Sequence, residues 1–335
     1  MKIVTFGEIM LRLRPEGFLR FAQADKFEAT FGGAEANVAV NLAQLGCETA
    51  FVSKLPAHAI GEMAVASLRK YGVNVTKILR GGDRVGIYFI EKGMDARASV
   101  CVYDRARSAI ATAEPGEFDW DAILDGADAF FFTGITPALG KNMVEACKNA
   151  CESAKKRGIL VCCDTNFRAA LWSLSDASKT MSELLPLCDL VISNAGLAND
   201  MFALGVPSNG ELLDQNGLRA VGEKLRERFG CKAVALTQRE TISSNHHRFS
   251  GAMLVGDSFA CSRVHDIDIV DRVGSGDAFA ASAILAVLEG MSAADGAEFA
   301  VAASVLKHSI EGDVNLSSRA EIEKLARGGD SRIVR

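Results

Sequence analysis

Apolar positions along the chain follow two alternating periods. "KIVTFGEI", "ETAFVSKL", "AFFFTG", "ILVCCDTN", "LCDLVISN" and "KAVALTQ" hold apolar residues at consecutive positions over strand-like lengths, which predicts strands buried on both faces. Between them, "AEANVAVNLAQLG", "IGEMAVASLRKYG", "NMVEACKNACESAKKRG" and "GLRAVGEKLRERFG" have helical spacing and stop at Gly46, Gly72, Gly158 and Gly230, where C-caps belong. The alternation predicts an α/β fold, a mainly parallel central sheet flanked by helices on both sides. Residues just after a strand then deserve inspection, because ligands bind beyond the carboxyl ends of such sheets.

One region breaks the rhythm. "RVGIYFIEKGMDARASVCVYDR" (84–105) reads as two strands around a polar turn containing Gly93, Asp95 and Arg97. A lone hairpin has no core of its own. This one is expected to pack on residues 11–31 as a small β lid or on another subunit, with an extension of the main sheet as the alternative. No internal repeat, low-complexity tract or long linker interrupts the chain, so residues 1–335 are expected to form a single domain carrying lid elements at about 11–31 and 84–105.

Composition narrows the function classes. A charge of −5 from 37 basic and 42 acidic residues, without a run of five like charges, argues against nucleic-acid binding. No apolar run reaches membrane-spanning length, and the N-terminus runs into its first strand without the features of a secretory signal, so no membrane association and a cytoplasmic location are expected. The nine cysteines contain no CxxC pair and are expected to be buried thiols rather than metal ligands; Cys147 and Cys151, four apart on a helix, lack a matching histidine cluster. The histidines at 58, 246, 247, 265 and 308 are expected on the surface, with His246 and His247 in a polar loop.

The chemistry concentrates at two glycine pairs. "DRVGSGDAFAAS" (271–282) follows "DIDIV" and leads into a helix of small residues whose first turn carries Asp277. Bare glycines at 274 and 276 let the amides of 274–277 converge on an anion at the positive end of the helix. An acid beside an anion repels it, so Asp277 there suits proton acceptance from an attacking hydroxyl; the alternative is a simple helix cap. The motif is not GxGxxG, since Phe279 stands at the third glycine position, and no phosphate-binding GxxxxGK[ST] is present. In "FGGAEANVAVNLAQLG" (31–46), Gly32 and Gly33 precede a helix with Asn37 one turn inside it. The glycines allow close approach of a polar ligand and Asn37 offers donor and acceptor to sugar hydroxyls, although an ordinary strand-to-helix turn would read the same.

Together the two segments resemble the signatures of the ribokinase-like, phosphofructokinase B type carbohydrate kinases, in order and about 240 residues apart, over nearly the entire chain. "TFGEIMLRL", "GIYF", "VYDRARSA", "DTNFRAALW", Arg272 and "EGDVNL" are similar to the branch that phosphorylates 2-keto-3-deoxygluconate. The resemblance implies a ribokinase-like three-layer fold, an ATP- and Mg²⁺-dependent transfer to the terminal (C6) hydroxyl, and Asp277 as base with Gly274, Ser275 and Gly276 at the transferred phosphoryl group. It implies Gly33, Asn37, Tyr88, Tyr103, Arg105, Arg168 and Asp313 around the sugar acid, and Ser193, Thr237 and Arg239 at the nucleotide. Arg105 and Arg168 suit a carboxylate, with structural ion pairing as the alternative.

A homo-oligomer, dimer or higher, is implied, and a monovalent cation near Asp271 is left open. Other readings are a kinase for fructose, ribose or another keto acid, or a catalytically impaired sugar-binding relative. Departures from the family pattern fall at Leu197 in "NAGLAND", where an acidic residue usually helps place Mg²⁺, at Ser282, and in the polar loop "TQRETISSNHHRF"; at the first, either Asp200 substitutes, or magnesium rests mainly on nucleotide oxygens and water, or activity is impaired. The protein ligands of any metal are not identified by sequence.

Overall fold

A computed structural model describes residues 1–207 and 212–329. Its strands are β1 (Lys2–Phe6), β2 (Met10–Arg14), β3 (Glu28–Gly32), β4 (Glu48–Leu55), β5 (Ile78–Arg80), β6 (Ile87–Glu91), β7 (Val100–Asp104), β8 (Ala129–Thr133), β9 (Leu160–Asp164), β10 (Leu190–Asn194), β11 (Ala233–Ser243), β12 (His246–Val255), β13 (Ser258–Cys261) and β14 (His265–Asp268). The main sheet has ten strands in the order β13-β12-β11-β10-β9-β8-β1-β4-β5, with β14 also paired to β12. From β11 to β5 the pairing is parallel, and β12, β13 and β14 add an antiparallel margin.

Alternate residues of the central strands feed two cores. On one face Phe130, Phe132, Val161, Cys163 and Val191 pack with helices Lys141–Lys156 and Gln215–Phe229. On the other, Phe131, Cys162, Leu190 and Ile192 pack with helices Ala34–Gln44, Ser275–Leu288 and Ala293–His308. This is the three-layer arrangement that doubly apolar strands require. Ser275–Leu288 is apolar around its whole circumference because it lies among the sheet and two neighbouring helices. At its N-terminus Ser275 and Asp277 are buried, while Gly276 is exposed and all of residues 274–277 line the cavity.

The second sheet has four strands in the order β3-β2-β6-β7. The 84–105 hairpin thus pairs with the 11–31 segment, through the parallel β2–β6 register Leu11↔Ile87 to Leu13↔Phe89. On β7, Cys101 and Tyr103 line the main cavity, while Val100 and Val102 point away and are 42% and 49% exposed.

Three expectations need correction. "TQRETISSNHHRF" is not a loop: Thr237–Ser243 and His246–Phe249 are the paired ends of β11 and β12. Nor are all the histidines on the surface, since His247 and His308 are 0% and 1% exposed. Helix Ala293–His308 packs on β12, which covers His247 and brings the His308 ring 5.8 Å from Phe249. Burial among Arg239 and other cations holds both imidazoles down at about 4, hence neutral at physiological pH. Nor are all nine cysteines buried: Cys147, Cys151, Cys162, Cys163, Cys188 and Cys231 are buried free thiols, but Cys101 is exposed and Cys47 and Cys261 are part-buried.

Candidate active site

The carboxyl ends of β9, β10 and β11, the start of helix Ser275–Leu288 and the inner face of the small sheet enclose a cavity of about 580 Å³. That is the size of a pocket for one or two small ligands. Gly33, Asn37, Tyr88, Tyr103, Arg105, Arg168, Ser193, Thr237, Arg239, the 274–277 turn and Asp313 all reach its wall.

The 274–277 turn has two unlike glycines. Gly274 is the N-cap, at φ 83°, and a Cβ there would overlap the main-chain carbonyl of Asp313. Gly276 has a normal helical setting, and a Cβ on it would meet no protein atom within 4 Å. Its bareness is therefore not required by packing; it leaves space on the cavity side. Among the described residues the amides of Gly274, Gly276 and Asp277 have no protein acceptor. Unpaired amides at a helix N-terminus form an anion site.

Asp277 is 9% exposed and accepts a 2.7 Å hydrogen bond from Asn37 Nδ2. Asn37 Oδ1 in turn accepts from the Gly33 amide at 3.3 Å, so the two glycine segments meet through one side chain. A Cβ at Gly33 would overlap the Glu8 carbonyl. Burial raises the Asp277 carboxyl to about 7, the Asn37 donor pulls the other way, and the negative charge of Asp164 adds to the rise. Asp164, at the end of β9, is also lifted to about 7, chiefly by burial. Asp277 can hold or release a proton near neutrality, as a general base must.

Cations set the charge of the rest. Arg168, Arg239 and Arg272 line the cavity and form no ion pair among the described residues. Burial lowers Arg239 to about 10, with Arg272 repelling it, and burial and Arg168 lower Arg272. Three unpaired guanidinium groups around one cavity suit a polyanionic occupant.

Arg105 differs. Its Nε and Nη2 both donate to Glu8 Oε2, the first at 2.9 Å, and its guanidinium lies 5.6 Å from the Tyr103 ring. Asp313 accepts from Arg12 and from the Tyr88 hydroxyl, and Arg12 reaches Asp271 at 2.6 Å. These groups form a buried floor rather than free ligand contacts. Tyr103 is more open, at 38% exposure. The Ser193 hydroxyl meets Thr165 Oγ1 at 2.6 Å, and Thr237 is part-buried next to it on the sheet edge of the cavity.

Glu8, Arg12, Asp164 and Lys307 belong to the surroundings of the site but carried no individual assignment in the sequence reading. The first two lie in "TFGEIMLRL" and Asp164 in "DTNFRAALW", so the segments stood out while the pairings did not. Glu35 is likewise buried, joining helix Ala34–Gln44 to Thr133 and Thr136 through bonds of 2.7 Å.

A resident divalent metal does not fit. Leu197 packs partly buried against the core, and Asp200 is solvent-exposed on helix Ala195–Met201, away from the cavity wall. Among the described residues no cluster of three His, Cys, Asp or Glu could hold a metal, and no helix is long and apolar enough to cross a membrane. Asn194 caps its own helix by accepting from the Leu197 amide at 3.1 Å.

Known proteins share this architecture. A 2-dehydro-3-deoxygluconokinase structure from Thermotoga maritima superposes with TM-score 0.94 at 45% identity, covering 98% of each chain. A 2-dehydro-3-deoxygalactonokinase of Haloferax volcanii is 32% identical over 100% of this chain and 99% of its own. A 2-dehydro-3-deoxygluconokinase of Bacillus subtilis is 30% identical over 96% and 94%. Residues 1–318 match the family described as pfkB family carbohydrate kinase. With its ribokinase-like fold and this cavity, the chain belongs to the pfkB family of carbohydrate kinases.

Proposed function

We propose that this kinase transfers the γ-phosphoryl group of ATP to the terminal C6 hydroxyl of 2-keto-3-deoxygluconate. The observation that carries the reading is the buried Asp277 carboxyl, near 7 and tied to Asn37, next to amides that lack protein acceptors. Asp277 takes the hydroxyl proton as the sugar oxygen bonds to phosphorus; the bond from phosphorus to the bridging oxygen breaks and ADP leaves with its electron pair. The amides of Gly274, Gly276 and Asp277 stabilise charge on the transferred group, while the Ser275 amide already donates to the Arg272 carbonyl at 3.3 Å. Magnesium enters as part of the nucleotide, since the described residues offer no cluster of three histidine, cysteine, aspartate or glutamate side chains to hold it.

The acidic substrate class rests on Arg168, whose side chain, among the described residues, donates only to the neighbouring Phe167 carbonyl at 3.2 Å, leaving its fork open to a carboxylate. Arg105, held by Glu8, shapes the wall beside Tyr103, and Gly33, Asn37, Tyr88 and Asp313 complete the sugar end. Ser193, Thr237 and Arg239 sit at the nucleotide end. The names of the relatives include the galacto acid as well as the gluco acid, which differ at C4, so the C4 epimer is the second substrate to test.

The protein also acts as a cytoplasmic dimer or larger homo-oligomer in this reading. Its support is the apolar outer side of the small sheet, where Phe27, Val100 and Val102 are each 40% or more exposed, together with nine free cysteines. A monomer in sedimentation at micromolar concentration removes the oligomer. A coupled ADP-release assay over both C4 epimers, fructose and ribose tests the chemistry; wild-type turnover no better than Asp277→Ala on every sugar overturns it.

A further inference from the structure

The acid six positions before Asp277 has a different environment. Asp271 is 4% exposed, and its carboxylate is fully engaged, accepting from Arg12 at 2.6 Å, from the Val273 amide at 3.1 Å and from the Gly312 amide at 3.2 Å. Its main-chain carbonyl and that of Ile310 converge instead on the Lys307 ammonium, at 3.1 Å and 2.9 Å. Lys307 is 0% exposed, which is rare for lysine unless its charge is matched. Carbonyl oxygens beside a buried carboxylate are the ligands a hard monovalent cation takes, and an ammonium group is close to potassium in size and charge. The place is therefore already filled by a cation that the chain itself carries, and the residues do not fit a free monovalent ion.

We propose that Lys307 is a built-in replacement for a monovalent cation, a positioning residue that pins the 271–274 segment to the 310–313 loop and makes the kinase independent of potassium and sodium. The link to the site is short. Asp271 leads directly into the Gly274–Asp277 turn, whose conformation also depends on Gly274 fitting against the Asp313 carbonyl. Both sides of that fit, 271 and 313, are held by the cluster of Arg12, Lys307 and the two acids.

The test uses the full chain at constant ionic strength in choline, sodium, potassium or ammonium chloride, reading both thermal midpoint and turnover. The wild type is expected to be indifferent to the cation in both readouts. Lys307→Ala is expected to melt earlier and to lose about tenfold or more in kcat in choline, as a buried charge partner is removed. Potassium or ammonium, saturably and better than choline, is expected to restore both. Lys307→Gln, which keeps donors for the two carbonyls without the charge, is expected to fold in every salt yet stay slow. A saturable potassium activation or stabilisation of the wild type overturns the proposal, and so does a Lys307→Ala protein equally impaired, or equally unfolded, in all four salts. The turnover arm rests on the kinase reading; the melting arm needs no substrate, so a wrong sugar leaves it standing.

Discussion

Asn37 Nδ2 donates to Asp277 Oδ2 at 2.7 Å across 240 positions of sequence, while the Gly33 amide donates to the other end of the same side chain at 3.3 Å. The bond stabilises the charged form of Asp277 and so opposes the upward pull of burial. Asn37→Leu keeps the volume and deletes the donor. A hydrogen bond to a charged group is worth about 1.5–3 kcal/mol, so the acidic limb of the kcat/KM profile is expected to move upward by about one pH unit or more. A pH–rate profile whose limb stays in place would mean that Asn37 only positions sugar.

The same carboxyl makes a prediction about stability. Its folded-state value near 7 lies above its ordinary value of 3.8, so folding favours the protonated form. The favourable contribution is complete below the ordinary value and is lost as pH rises through about 7. Asp277→Asn removes the ionisation; it is expected to raise the stability by roughly 2–4 kcal/mol at pH 8 and to change little at pH 4. Turnover is expected to fall about 10²–10⁴-fold, the usual contribution of a general base. Chemical denaturation of both proteins at the two pH values checks the sign; equal stabilisation at both would assign the effect to packing instead.

Gly274 and Gly276 separate fold from chemistry. Gly274→Ala forces a Cβ against the Asp313 carbonyl at a φ of 83°, so it is expected to destabilise the protein by several kcal/mol. Gly276→Ala meets no protein atom within 4 Å in the first turn of the helix, where a helical backbone accepts alanine without strain, so its melting temperature is expected to hold or rise. The added methyl nevertheless enters the space above the free amides, and nucleotide affinity is expected to drop about tenfold or more. Calorimetric titration with ATP decides this: unchanged affinity in a well-folded Gly276→Ala protein would move the phosphates elsewhere.

How much of this was legible in sequence follows from the range of the interactions. Strands such as Glu48–Leu55 and the bare turn before Asp277 are written in local pattern, because a doubly buried strand or a helix N-terminus imposes its requirements on neighbouring residues. The Arg12–Asp271 and Arg12–Asp313 pairs are not, since nothing near residue 12 says that its partners arrive 259 and 301 positions later. Polar residues mislead for the same reason. His247 looks like loop composition until helix Ala293–His308 closes over β12, and Arg105 looks like a free ligand fork until Glu8 reaches it from the connection between β1 and β2. The identity of the two glycine segments was readable; the charge network that fixes their separation belongs to tertiary structure.

That distinction between free and committed arginines yields the test of substrate class. Arg168 is exposed on the cavity wall, and its neighbours Arg239 and Arg272 are also unpaired, so replacing it with leucine removes charge from the site without orphaning a carboxylate. Arg168→Leu is expected to keep its melting temperature, to raise KM for the keto acid about 10–100-fold through loss of a charge-assisted contact, and to leave KM for a neutral sugar little changed. Arg105→Leu strands Glu8, 2% exposed and with Oε1 already lacking a partner, and such a broken buried pair costs about 3–5 kcal/mol. It is therefore expected to lose stability first and to lose activity on acidic and neutral sugars alike. Steady-state kinetics on one acidic and one neutral sugar, paired with thermal melts, distinguishes the two; if Arg168→Leu affects both sugars equally, its fork serves the nucleotide and the carboxylate of the substrate is held by another group.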